Sequence, residues 1–236
     1  MDSLRFAPVL ARWPELMDGA FATLVLSGQS IALGLSIGVI CGVLRSMGPT
    51  WIGGVLGIYV ELIRNTPLLV QLSIVFFAFP YVGLRMGVYE AAVLGIGINF
   101  GAYATEIVRT GILAIPKTQV EAGLALGLHP ISVVRYVVIK PALMVVYPAL
   151  TGQLTLTLLA TSIASAIAAP ELTNMGYFIE SETFRSFEVY IVIALIYIVL
   201  VLAFRIVYAL IGRFLFRRKT PGSRLAALAV NEASAP

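Results

Sequence analysis

The sequence predicts an all-α integral membrane protein with five transmembrane helices. Of its 236 residues, 59% are hydrophobic and only 12% are charged, whereas a soluble domain carries about 25% charged residues. Five apolar stretches each reach the roughly 20 residues that are needed to cross about 30 Å of hydrocarbon. These stretches run over about 20–44, 52–79, 89–112, 142–168 and 188–212.

Residues 1–18 form a short flanking segment, and the first span follows. Its apolar run is too long for a signal peptide and has no cleavage motif after it, so we expect it to be retained. Gly34, Gly38 and Gly42 share one face of this helix. Such a face permits close helix–helix or subunit contact, or it reflects a generally glycine-rich membrane helix. Cys41 is the only cysteine, which excludes an intrachain disulfide.

The second span contains a helix-breaking sequence. Pro67 cannot donate a hydrogen bond to a helix, and Asn65 or Thr66 can cap a restarted one. The sequence therefore predicts a kinked or broken helix. Two pairs of opposite charge stand three residues apart, one in this span and one in the third. They are Glu61 with Arg64 and Glu106 with Arg109, and we expect structural ion pairs near the inner membrane face.

The fourth span contains Pro148, where we expect a kink, and a row of hydroxyl side chains beside Gln153. The hydroxyls either satisfy their own helix backbone or line a polar pathway. The segment 170–188 is acidic and polar, and we expect it outside the cytoplasm. A basic tail, residues 217–236, follows the fifth span and is expected in the cytoplasm, because lysine and arginine favour that side.

Residues 113–141 join the third and fourth spans at a water interface. A short helix-like run, Val120 to Leu126, is ended by Gly127 in the manner of a C′ glycine. Pro130 then suits the first turn of a second helix. The two helices and the glycine turn predict a compact knob on a membrane face, which is a shape suited to docking another protein.

The chain offers no constellation for catalysis. Its one histidine, His129, lies in this loop, and no cluster has the spacing of a metal site. No serine or cysteine in the spans has a base within reach, and no lysine follows a glycine as in a Walker A motif. The net charge of +4 does not indicate nucleic acid, because the basic residues cluster beside apolar segments.

Several motifs resemble those of polar amino acid ABC transporter permease subunits. Glu121-Ala-Gly, then Gly127, Ile139 and Pro141, is similar to their EAA loop, although Gly123 replaces the second alanine and the proline comes one position late. The stretch Tyr59-Val-Glu-Leu-Ile-Arg-Asn-Thr-Pro-Leu-Leu-Val-Gln resembles their second-helix signature. Asn99 to Arg109 is similar to their third-helix signature, and the resemblance covers roughly residues 15–217.

This resemblance implies a type I importer fold in the bacterial cytoplasmic (inner) membrane, with residues 19–216 as the permease domain and the N-terminus periplasmic. It implies two ATP-binding cassette subunits, a second permease subunit and a periplasmic or surface amino acid binding protein as partners. ATP and Mg would be bound by the ATPase, with no cofactor in this chain. The function implied is ATP-driven import of a polar or charged amino acid. An ion-coupled secondary transporter acting alone is the alternative.

The resemblance also implies roles for individual residues. The residues expected to dock the ATPase are Glu121, Ala122, Gly123, Gly127, Leu128 and His129. Those expected along the substrate pathway are Asn65, Pro67, Gln71, Asn99, Gln153, Thr157, Thr161 and Ser162. The family often has a polar pair before Thr161, where this chain has Leu159 and Ala160.

Overall fold

The protein is represented here by a computed structural model that describes residues 4–216, and every regular element in that range is helical. Four helices are long and apolar enough to span a membrane, and a bent pair forms the fifth candidate span. The predicted all-α membrane fold is therefore confirmed. The helices are α1 Ala7–Leu10, α2 Trp13–Met47, α3 Thr50–Arg64, α4 Leu68–Ser73, α5 Val88–Leu113, α6 Lys117–Ala125, α7 Pro130–Ser132, α8 Lys140–Ala160, α9 Leu172–Thr183 and α10 Ser186–Leu215.

The predicted break in the second span is confirmed. α3 ends at Arg64, and α4 begins at Leu68 and continues as a π turn and a 3₁₀ turn to Val82; the two parts are bent by 105°. Pro67 sits at the break with an extended backbone, where its missing N–H costs nothing. The Asn65 side chain donates to the Glu61 carbonyl over 2.8 Å and so caps the end of α3.

The tightest helix pair is α2 with α5, and the three spaced glycines form its contact face. Gly34, Gly38 and Gly42 are all buried against α5. A Cβ atom at Gly38 would lie 2.3 Å from the Cβ of Ala104, which is closer than two carbons can approach. The glycine face is therefore a helix–helix contact within this chain.

The first spanning helix begins earlier than predicted, at Trp13 rather than near residue 20. Pro14 lies in its first turn, where a proline is tolerated, and Glu15 there complements the positive end of the helix dipole. The short helix α1 precedes it, and its Val9 is fully buried with Ile179 and Val189. Part of the expected flanking segment is thus helical and packed on α9 and α10.

The fourth span, predicted to begin near residue 142, continues the second helix of the knob. One helical path runs from Pro130 to Ile167, through a π-helical segment Val133–Ile139 and then α8. The wider π winding precedes Pro141, whose ring would otherwise press on the carbonyl four residues earlier. Pro148 lies inside α8 without ending it.

A helix that the sequence did not predict, α9, occupies much of the segment 170–188. Its N-cap is Glu171, whose carboxylate accepts hydrogen bonds from the backbone N–H groups of Thr173 at 2.8 Å and Asn174 at 2.6 Å. Gly19 of α2 lies against Leu172, and Gly176 lies against Ile193 of α10. The helix therefore wedges between the first and last spans. The predicted basic tail, 217–236, lies outside the described residues.

Candidate functional site

The knob between α5 and α8 has the predicted helix–turn–helix form. α6 ends at Ala125, and Gly127 follows with φ of +78°, a left-handed backbone that favours glycine. The chain then re-enters a helix at Pro130, where the His129 ring nitrogen accepts a weak 3.4 Å hydrogen bond from the Ile131 N–H. The turn thus fixes the direction of α6 relative to the following helix.

Gly123 is the buried contact between the two arms of the knob. A Cβ atom at this position would lie 3.2 Å from the Cγ2 of Val133, which is tighter than ordinary packing. Glycine therefore lets α6 lie close on the π-helical segment. The family's alanine at this position would require a small shift of that neighbour.

The outer surface of the knob combines one acidic group with large apolar side chains. Glu121, Ala122, Leu128 and His129 are exposed, while Leu126 is 82% and Ile131 is 70% exposed. Apolar side chains grouped at a loop tip and rimmed by polar groups mark a protein contact surface. Four of the six residues predicted to dock the ATPase therefore lie on this surface. Gly127 forms the turn beside it, and Gly123 is buried between the two arms of the knob.

Gln71 ties the helix break together and also lines a cavity of about 210 Å³ beside it. It is buried, and its side-chain amide donates to the carbonyls of Ile63 at 2.7 Å and Thr66 at 2.8 Å. Its amide oxygen accepts from Asn99 of α5 at 3.1 Å. The first two bonds satisfy carbonyls at the break, where the Ile63 carbonyl otherwise has only a long 3.4 Å bond from the Thr66 N–H, and the third ties the break to α5.

A cavity of about 180 Å³ brings together three of the predicted pathway residues. Asn99, Gln153 and Thr157 line it, with Tyr103 and Ala160 beside them. A second cavity of about 370 Å³ shares Tyr103 and Gln153 with the first. We call these two adjoining cavities between α5 and α8 the polar column, after the polar side chains that stand in an otherwise apolar lining.

Arg64 lines the second cavity and does not pair with Glu61, which corrects the predicted ion pair. Its guanidinium lies 5.2 Å from the centroid of the Tyr103 ring. Among residues 4–216, Glu61 makes no ion pair, and its carboxylate instead accepts from Asn65 at 3.0 Å. Arg64 is thus directed toward the middle of α5, because Tyr103 lies near the centre of Val88–Leu113.

Glu106 and Arg109 do form an ion pair, at 2.9 Å, and a third residue joins them. Arg45, near the end of α2, contacts the other carboxylate oxygen of Glu106. The cluster ties α2 to α5 at the ends that lead into the loops. Its role in the structure is that of a helix-to-helix contact.

The remaining pathway candidates lie elsewhere. Asn65 and Pro67 are exposed at the break. Thr161 is buried and donates to the Leu158 carbonyl, and Ser162 donates to the Leu159 carbonyl, both at 2.7 Å. Thr157 likewise donates to the Gln153 carbonyl at 2.9 Å while it lines the smaller cavity. The hydroxyls therefore satisfy their own helix, and Thr157 also faces the polar column.

Sequence reasoning missed Tyr103 and Arg45. Tyr103 stands four residues after Asn99, so both lie on one face of α5, and that spacing was a usable signal. No local pattern identifies Arg45 as the partner of Glu106, because their contact depends on how α2 and α5 pair.

Known proteins are similar to this chain in sequence and in fold. Residues 34–218 match the family described as binding-protein-dependent transport system inner membrane component. The glutamine transport system permease protein GlnP of Escherichia coli (strain K12) is 38% identical over 197 residues, covering 81% of this chain and 90% of that protein. The L-cystine transport system permease protein TcyB of Bacillus subtilis (strain 168) is 33% identical, covering 87% and 88%.

Solved structures of ABC transporter chains are similar to this chain in fold. A chain from the crystal structure of an amino acid ABC transporter with histidines superposes with a TM-score of 0.82 at 33% identity, covering 90% of this chain and 99% of that one. An inward-facing structure of the MetNI methionine ABC transporter gives a TM-score of 0.74 at 22% identity, covering 87% and 98%, and supports the fold alone. The chain thus belongs to the family of binding-protein-dependent transport system inner membrane components and has the fold of a type I ABC importer permease.

Proposed function

We propose that this chain is the permease subunit through which an ATP-driven importer moves a polar or charged amino acid across the bacterial cytoplasmic membrane. The knob at 113–141 is the observation that carries the proposal. Its exposed Glu121 and Leu126 stand beside a turn held by Gly127, and a rigid turn of this kind transmits motion from a docked protein to the helix that follows it.

The partners proposed are two ATP-binding cassette subunits on the knob side, a second permease subunit and an amino acid binding protein on the opposite side. The ATPase subunits would bind ATP and Mg. Because α7, the π segment and α8 form one continuous helix from Pro130 to Ile167, a shift of the knob moves the wall of the polar column directly. The N-terminus lies outside and the knob inside in this arrangement.

A polar or charged amino acid is proposed as substrate because the column carries polar side chains between otherwise apolar helices. Asn99, Gln153 and Thr157 offer amide and hydroxyl groups, and Arg64 and Glu106 line its wider part. The names of two relatives, a glutamine permease and a cystine permease, agree with this class of substrate.

Affinity purification in mild detergent tests the proposal. A tagged chain is expected to bring down a soluble ATPase, which is lost when Gly127 is replaced by valine and kept when it is replaced by asparagine. Vesicles holding the purified complex are expected to accumulate amino acid only with ATP. Uptake by this chain alone, driven by an ion gradient, would instead identify an ion-coupled secondary transporter.

A further inference from the structure

Arg205 is a cation within the last spanning helix that has no acidic partner in the described part of the chain. The helix α10 runs from Ser186 to Leu215 and is the most apolar span. Arg205 stands eight residues before Arg213, which at the rise of an α-helix puts it about 12 Å deeper. The acidic residues that form ion pairs in the structure, Glu15, Glu106, Glu182 and Glu188, all contact other arginines. A charge at such a depth is costly to keep and marks a functional site.

The Arg205 side chain lines a groove of about 620 Å³ between α8 and α10. Leu156, Val201 and Ala209 make the wall apolar, and Thr151 and Thr155 place hydroxyls beside the arginine. Tyr147 closes the end of the groove nearest the tail, where its ring packs on Gly212 and meets Phe216 edge to face at 5.0 Å. The groove is thus polar near Arg205 and apolar away from it.

Three hydroxyl groups in the groove already donate hydrogen bonds to backbone carbonyls. Thr151 donates to the Pro148 carbonyl and Thr155 to the Thr151 carbonyl, both at 3.0 Å, and Tyr147 donates to the Tyr208 carbonyl. Their oxygens therefore remain as acceptors. The groove therefore presents the Arg205 guanidinium as a donor beside these acceptors, which suits a ligand with an anionic group and neighbouring O–H donors.

We infer that this groove binds an anionic phospholipid with a glycerol headgroup. The phosphate accepts from the forked guanidinium of Arg205, a geometry that suits phosphate. The headgroup hydroxyls donate to Thr151 and Thr155, and an acyl chain lies along Leu156 and Val201. Basic pockets between spanning helices on the cytoplasmic side bind such headgroups; the inference rests on the proposed function only for this orientation.

The surroundings of the groove favour a lipid over a free amino acid. The neighbouring outer face of α10 carries large aliphatic side chains, with Leu202, Ile206 and Leu210 all more than half exposed. A bilayer covers such a face at no cost. A free amino acid carries an ammonium as well as a carboxylate, and the groove lining offers Arg205 for the carboxylate but no acidic side chain for the ammonium.

The test uses the purified importer complex and native mass spectrometry with added phosphatidylglycerol or phosphatidylethanolamine. The wild-type complex is expected to retain phosphatidylglycerol preferentially. Arg205→Gln is expected to lower that retention about tenfold, the effect of losing a charge-assisted hydrogen bond. Arg213→Gln, on the same helix, is the matched control and is expected to retain the lipid.

Equal retention by the wild type and Arg205→Gln would overturn the inference. The inference would also be overturned if Arg205→Gln kept the lipid but lost binding of radiolabelled glutamine, because the groove would then be a substrate site. Arg205→Lys is measured alongside: it keeps the charge, so it is expected to keep an anionic-lipid preference weaker than that of the wild type. Lipid retention is read without ATP, so a failed ATP-driven uptake assay leaves this result independent.

Discussion

The guanidinium of Arg64 lies over the ring of Tyr103, 5.2 Å from its centroid, and not on the carboxylate of Glu61 three residues earlier. Arg64, the last residue of α3 before the break, is therefore held by a side chain of α5. Glu61 is engaged by Asn65 at the end of its own helix. This contact positions a cation in the wall of the polar column at the point where its two cavities meet.

The stacking of Arg64 on Tyr103 predicts a difference between two substitutions. Tyr103→Leu is expected to lower the free energy of unfolding by about 1 kcal/mol, the scale of a cation–π contact, and to reduce uptake. Tyr103→Phe keeps the ring and is the control, with little change in either. Thermal unfolding of the purified protein measures the effect. Glu61→Gln is expected to leave the free energy of unfolding unchanged. A loss as large as that of Tyr103→Leu would instead support an ion pair between Glu61 and Arg64.

Gln71 is predicted to hold the helix break together. Gln71→Leu keeps the approximate volume but removes the amide that donates to the carbonyls of Ile63 and Thr66 and accepts from Asn99, so a loss of about 1–3 kcal/mol in unfolding free energy is expected. Gln119→Leu, at an exposed position in α6, is the matched control. The same melting temperature for both variants would contradict a structural role for the Gln71 amide.

The spans and the break were predictable from local signals, whereas the contacts between helices were not. Apolar length identified each span, and Asn65-Thr-Pro identified the break. α9 escaped because its twelve residues are too polar and too few to stand out as a span, although Pro170-Glu171 before an apolar residue is a capping signal. The direction of Arg64 depends on a 105° bend, and no residue spacing encodes that angle.

In the candidate site, too, local sequence predicted some features, and others depended on how the helices pack. Gly127 and Pro130 predicted the knob from backbone chemistry alone, because a left-handed turn and a helix start each have characteristic residues. The pathway was harder, because Asn99, Gln153 and Thr157 meet only when α5 packs on α8. Gln71 looked like a pathway residue in sequence, since an amide in an apolar span suggests a polar route. In the structure its amide nitrogen donates to the backbone of the break, and its amide oxygen accepts from Asn99.

The glycine face between α2 and α5 predicts a position-dependent cost for alanine. Gly38→Ala places a Cβ atom 2.3 Å from that of Ala104, so the helices must separate, at about 1–3 kcal/mol. Gly28 lies on the same helix with no atom within 4 Å of a built Cβ. Gly28→Ala is therefore expected to be neutral or stabilising. Comparable loss of stability in the two variants would contradict the close contact.

Glu171 predicts a pH-dependent stability. Burial raises the pKa of its carboxyl, an effect that the N–H groups of Thr173 and Asn174 and the Tyr197 hydroxyl partly offset. A raised pKa in the folded state means that the folded protein holds this proton more tightly than the unfolded chain. Stability from this group is therefore greatest at acid pH and falls as pH rises through the folded-state pKa.

Melting temperatures measured from pH 7 down to pH 4.5 check this sign. The wild type is expected to gain stability relative to Glu171→Gln as the pH falls, because the glutamine has no proton to bind. A difference between wild type and Glu171→Gln that grows in the opposite direction would show that the N–H donors outweigh burial.

The knob as the point of coupling is tested most directly by measuring ATP hydrolysis and amino acid uptake in the same vesicles. Gly127→Val strains a left-handed turn by about 1–2 kcal/mol and is expected to redirect α6. Membrane insertion is expected to stay normal, while ATP-driven uptake is lost because the ATPase no longer docks on the knob. Gly127→Asn, which tolerates that backbone, is expected to stay coupled. Uptake per ATP in Gly127→Val equal to that of the wild type would contradict the assignment of the knob to coupling.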